Sequence, residues 1–131
     1  MVDSINAFRI FGPLEIILQG EIISIESGKL RTLLAALLLD AGSVVGSDRL
    51  IDWLWDDHQP ANPRGALHTY IRRLRQLLDD PKMLSTVSSG YRLNLGTAVL
   101  DLQQFRRLVR GAEETADPQA QAKLLTDALA I

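Results

Sequence analysis

The stretch NPRGALHTYIRRLRQLL (62–78) sets Arg72, Arg73 and Arg75 almost side by side in a chain whose net charge is −2. Advancing about 100 degrees per residue from Leu67 puts Leu67, Tyr70, Ile71, Leu74, Leu77 and Leu78 within about 80 degrees of one line. That is the buried seam of a helix. His68, Thr69, Arg72, Arg73 and Gln76 fall on the opposite side, with Arg75 on the flank. A surface helix ordinarily mixes signs as i,i+4 pairs, yet no acid stands on this outer face between Gly65 and Leu78. Asn62 followed by Pro63 marks the helix start, an oxygen-bearing cap and a proline at the first helical position. The segment DDP closes it near Asp79.

Around this helix the charge is uneven. Between Arg64 and Arg92 stand six bases (Arg64, Arg72, Arg73, Arg75, Lys82, Arg92) against two acids (Asp79, Asp80), a local excess of 6 − 2 = 4. For binding a polyanion the local field outweighs the total. The 131 residues, 47% hydrophobic and 23% charged, suit one globular domain or one domain plus part of a second. The absence of cysteine excludes disulfides and thiol chemistry and makes the cytoplasm the natural compartment. The run LLAALLL (33–39) is too short to cross a bilayer, and MVDSINAFRIF at the start lacks a basic signal-peptide region.

Outward from 62–78, residues 7–25 predict about three short antiparallel strands, with Gln19-Gly20 as a tight turn. Residues 27–42 predict a helix opened by Ser27 and Gly28, built on Leu30, Leu33, Leu34, Leu37 and Leu38, and ended by Gly42. VVG (44–46) can add a small strand. A second helix is predicted over 47–57, with Ser47 as N-cap and Asp48 in its first turn. STVSSGYRLNL (85–95) reads as a hairpin around Ser88-Ser89-Gly90. Helices over 100–114 and 117–131 form a helical hairpin, the opening of a larger helical domain.

The fold class is therefore α+β. An N-terminal antiparallel sheet, three helices of which the second and third form a loosely spaced helix-turn-helix, and a β-hairpin come in order, and a helical hairpin follows. On the outer face of the third helix, Arg72 and Arg73 suit guanine edges or phosphates, His68 and Gln76 suit base edges, and Thr69 suits a phosphate or a thymine methyl. Lys29 and Arg31, at the opening of the first helix, join free backbone N–H groups that can hold phosphate. Arg92 follows the turn of the β-hairpin. Arg64 and Ser89 complete the candidate DNA-binding set.

Other residues invite sharper readings. Trp53 and Trp55 point about 200 degrees apart on a helix, so one belongs to the core and the other is partly exposed. Asp52, Asp56 and Asp57 read as a solvated acidic face. Asp57-His58 lacks the nucleophile and oxyanion site that catalysis needs. Two histidines without cysteine or a ligand motif name no metal site. The chain is read as no enzyme and as having no cofactor. Two rival readings are the output domain of a response-regulator-like protein and a protein-interaction module on a winged-helix scaffold. The polar outer face of the third helix speaks against the second.

FRIFGPLEI, then GKLRTLLAALLLDAGSVVGSDRLIDWLW, ALHTYIRRLRQLL and SGYRLNL, resembles the DNA-binding domain of the SARP family, the Streptomyces antibiotic regulatory proteins, which is of the OmpR type. The continuation LDLQQFRRLVRGAEE…AKLLTDALAI resembles the start of the bacterial transcriptional activator domain. The resemblance implies a winged-helix domain over 1–96 and the first helices of a truncated activator domain over 97–131. It implies activation of a specialised-metabolite (antibiotic) gene cluster from promoter DNA. It further implies binding to direct repeats as a head-to-tail dimer, contact with RNA polymerase holoenzyme and a nucleoid-associated location. By position, the recognition helix is 62–79 and the wing 85–95, with Arg92 toward the backbone or minor groove. Ser89 stands where the family commonly has proline.

Overall fold

The computed structural model describes residues 5–56 and 58–131. The first four residues of the stretch read for targeting, and Asp57 of the acidic cluster and of the predicted second helix, lie outside the described residues. The chain opens with a meander of β1 (Ile5–Arg9), β2 (Glu15–Leu18) and β3 (Glu21–Ser24). Gln19 and Gly20 join β2 to β3 with φ of 51° and 82°, the double positive φ that a two-residue hairpin turn with the strands' own twist requires. The pairing of β1 shifts between Ile5 and Ala7, where Asn6 is the extra residue. The shift lets Ile5 and Phe8, three apart, both enter the core. Asn6 Oδ1 meanwhile accepts the Gly20 N–H at 3.1 Å.

Helix α1 (Gly28–Leu39) begins as predicted, with Ser27 Oγ accepting from Leu30 N at 3.3 Å. It buries Leu33, Leu34, Leu37 and Leu38. Strand β4 (Val44–Gly46) then runs directly into α2 (Ser47–Leu54). Ser47 is not the expected N-cap: Gly46 holds that position and makes no side-chain cap. Ser47 is already helical, and its N–H is spent on Ser89 O across the sheet at 2.9 Å. The helix also stops at Leu54 rather than near 57. Its C-terminal carbonyl, Leu54 O, receives the Lys29 ammonium, a cation at the negative end of the helix dipole. Trp55 then turns its ring toward Tyr70, 6.0 Å between centroids.

Helix α3 (Pro63–Leu78) is capped by Asn62 Oδ1, which accepts from Gly65 N at 3.1 Å. It ends at Asp79, whose φ of 53° turns the chain left-handed. Helices α1, α2 and α3 pack on one another. Strands β5 (Leu84–Val87) and β6 (Gly90–Leu93) form the wing, and β4 adds to it in the order β4-β6-β5. Gly90 lies so close to β4 that a Cβ there would sit 2.2 Å from Val45 O. That approach admits no side chain.

A two-residue strand, β7 (Val99–Leu100), pairs parallel with β1 and completes a first sheet of order β3-β2-β1-β7. It leads without a break into α4 (Asp101–Glu114), and α5 (Pro118–Leu129) folds back on α4. The buried Asp101 carboxylate accepts from Ile10 N at 3.0 Å, Phe11 N at 3.1 Å and Leu102 N at 2.7 Å. Phe11 meets Phe105 edge-to-face at 5.5 Å. The acid thus closes the end of β1 and starts α4 with one group, and charge-assisted bonds of this kind are the stronger ones.

Replacing Asp101 with Ala strands these amides, so the unfolding free energy in urea should fall by about 2–3 kcal/mol, with Asp101→Asn in between. A value within about 0.5 kcal/mol of wild type, the range of ordinary surface changes, would show that other groups satisfy them. Gly90→Ala should cost roughly 1–3 kcal/mol through overpacking, read by the same titration.

Candidate nucleic-acid interface

The apolar seam of α3 decides what its other side shows. With Leu67, Ile71, Leu74 and Leu78 buried, His68, Thr69, Arg72, Arg73 and Gln76 all stand exposed. Arg73 lies over the Tyr70 ring, 5.4 Å from its centroid, so a planar cation is held while its N–H donors stay available. Among the described residues no carboxylate lies within ion-pair distance of Arg72 or Arg73. Thr69 donates its hydroxyl to Gly65 O at 3.2 Å and keeps its lone pairs free. Arg64 pairs with Asp48 at 3.2 Å on the open surface, an exposed contact worth little.

Arg75 behaves differently from its neighbours. Its Nε donates to Leu84 O at 3.1 Å and its Nη2 to Thr86 Oγ1 at 2.8 Å, which ties α3 to the wing. Between helix and wing lies an open cleft lined by His68, Ile71, Arg72, Arg75, Thr86 and Tyr91. Burial pushes the Tyr91 phenol above its usual range, against the lowering pull of the Arg75 and Arg64 guanidiniums. The hydroxyl therefore stays a neutral donor on the cleft wall at ordinary pH.

Four predicted site residues, Arg92, Lys29, Arg31 and Ser89, are not gathered into this cleft. Arg92 sits mid-strand in β6, paired with Val44 and Ser85. Strand alternation puts it on the face opposite Tyr91 and Leu93. It is half-buried, and its Nε has no hydrogen-bond partner among the described residues. Lys29 is turned to Leu54 O and lies 5.8 Å from the Trp55 ring centroid. Arg31 is exposed but donates to Ile25 O at 3.1 Å. Ser89 is exposed at the wing turn, its carbonyl taken by Ser47 N.

The two tryptophans divide as expected. Trp55 packs on the core, while Trp53 is exposed beneath the Arg49 guanidinium, 4.8 Å from the ring centroid. Asp52 accepts from Gln59 at 3.4 Å and Asp56 is exposed. Among the described residues no group of three or more His, Cys, Asp or Glu could hold a metal, and no helix is long and apolar enough to cross a membrane.

Two features went unread in the sequence. One is the tether through Arg75, which had only the flank position as a sign. The other is a second basic surface on α4, where Gln103, Arg106, Arg107 and Arg110 line a shallow depression. The segment RRLVR had displayed it, with the same crowding of arginines as in α3.

The profile of the family described as "Transcriptional regulatory protein, C terminal" matches residues 25–93, more than half of the chain. Regulatory protein AfsR of Streptomyces coelicolor is 38% identical over 108 residues, 82% of this chain and 11% of AfsR. Transcriptional regulator RedD of the same organism is 35% identical over 130 residues, 92% of this chain and 37% of RedD. The chain thus spans between 11% and 37% of the length of these curated relatives. A solved structure of Mycobacterium tuberculosis EmbR, in complex with a low-affinity phosphopeptide, superposes with a TM-score of 0.85 at 29% identity. That match covers 97% of this chain and 35% of EmbR. With a basic helix beside a β-ribbon and this match, the chain belongs to the transcriptional regulatory protein C-terminal family, in its OmpR-type, SARP form, and carries the winged-helix DNA-binding domain of such a regulator.

Proposed function

We propose that the chain reads double-stranded promoter DNA in a sequence-specific way and activates transcription of a specialised-metabolite gene cluster. In this reading α3 enters the major groove with His68, Thr69, Arg72, Arg73 and Gln76 toward base edges and phosphates. Two copies bind direct repeats head to tail and contact RNA polymerase holoenzyme, in the cytoplasm at the nucleoid. The observation that carries the reading is the pair Arg72 and Arg73, exposed on α3 with no carboxylate partner among the described residues. Arg64, Arg31 and Ser89 serve as flanking backbone contacts. Lys29 and Arg92, held where they are, contribute field rather than grip. The chain acts by binding, without a cofactor. Residues 1–96 form the winged helix and 97–131 the first helices of a helical activator domain, whose strand β7 is paired to β1.

Selection from a random duplex pool should return two copies of one half-site in the same orientation. An inverted repeat or a lone half-site would overturn the tandem arrangement. On the selected duplex, log affinity per protomer should fall with log salt at a slope of about −4 to −5, for about four to six phosphates neutralised by each protomer. Arg72→Ala or Arg73→Ala should each weaken binding by about 1–3 kcal/mol wherever the residue grips a base. If mobility shifts change with neither substitution, α3 is not the reading element.

A further inference from the structure

The three arginines of IRRLR are not equivalent. Arg72 and Arg73 are exposed, whereas Arg75 is half-buried and bonded to the wing. Its two acceptors, Leu84 O and Thr86 Oγ1, both belong to β5. Strand β5 is an edge of the three-stranded sheet, and an edge strand leaves outward-facing backbone groups unpaired. Arg75 fills one such place and holds the adjacent hydroxyl as well. Deeper in, Leu67, Ile71, Leu74 and Leu78 of α3 share one core with Leu84, Tyr91 and Leu93 of the wing. To the shared apolar core the guanidinium thus adds a directional link at the rim, where helix and wing edge face each other.

We infer that Arg75 is a positioning residue for DNA recognition: through Leu84 O and Thr86 Oγ1 it sets the wing against α3, and it does so without gripping DNA. The inference rests on the proposed reading that α3 and the wing engage one duplex. A helix in one groove and a ribbon beside it meet the same backbone only if their separation is held. The two donors of a planar fork impose an orientation that a single ammonium on a flexible stem does not. Lysine at this position keeps the charge and loses the strut.

The test uses the 131-residue chain and the selected duplex, with anisotropy titrations over a salt series and hydroxyl-radical footprints. Arg75→Lys and Arg75→Ala should both weaken binding by about tenfold with the salt slope unchanged. Both should lose protection at the wing's side of the footprint while keeping it under α3. Thr86→Val, which removes no charge, should reproduce most of the loss, and Thr86→Ser should restore it. The double variant Arg75→Ala with Thr86→Val should be no weaker than the worse single change. Wild-type affinity in Arg75→Lys, together with a salt slope lowered by about 0.9 in Arg75→Ala, would mean a direct phosphate contact and overturn the inference. So would wild-type affinity in Thr86→Val, whose side chain is exposed and whose fold is checked by thermal melting. Should Arg75→Ala fail to fold, the Thr86 pair decides alone. A wild-type chain that shifts no duplex at all would instead defeat the proposed function itself.

Discussion

Everything that faces outward on α3 does so because four apolar side chains face inward. Leu67, Ile71, Leu74 and Leu78 are seated against α1 and α2, and burying each contributes roughly 1.5–3 kcal/mol. Rotating the helix to hide its arginines would expose that seam and desolvate unpaired cations at once. The display of Arg72 and Arg73 is therefore a by-product of core packing rather than a separate device. The backbone that carries this surface is thus set by the core before any ligand arrives. The helix backbone then needs no ordering on binding, which leaves only the side chains to be fixed.

The same economy recurs at the joints. Asp101 closes β1 and begins α4 with one carboxylate. Lys29 finishes α2 from α1, its ammonium at the Leu54 carbonyl and near the Trp55 ring. Ser47 gives its N–H to the wing turn at Ser89. Each is a polar group from one element used to satisfy the end of another. The apolar core joins the parts, and these directional links add to their relative placement.

How much was legible in the sequence follows from the range over which each feature is decided. Helix α3 is written locally: its cap is Asn62-Pro63, its seam repeats at helical spacing, and exposure of the outer five residues follows from the seam alone. The Gln19-Gly20 turn and the wing hairpin are local in the same sense. What was not legible depends on partners distant in sequence. Lys29 reaches Leu54 O, 25 positions away, and the half-buried setting of Arg92 comes from β4 and β5, so neither setting is written in its own segment. Ser47 has the chemistry of a cap, but β4 runs into α2 and leaves Gly46 in that place. Strand β7 has two residues, too few to show any period; only its pairing to β1 defines it.

Strand β7 also settles how the last thirty or so residues relate to the rest. A helical pair hung on a loose tether would sample many orientations, with an effective concentration spread over its whole reach. Here the chain passes from sheet to helix with no slack, and a carboxylate pins the passage on both sides. In the proposed complex, the azimuth of the α4–α5 pair about the duplex would be inherited from the groove that α3 enters. Copies on successive sites would point their helical pairs in directions set by the number of base pairs between them. Inserting half a turn of double helix, about 5 base pairs, would swing one pair to the far side while leaving each protomer's own grip intact.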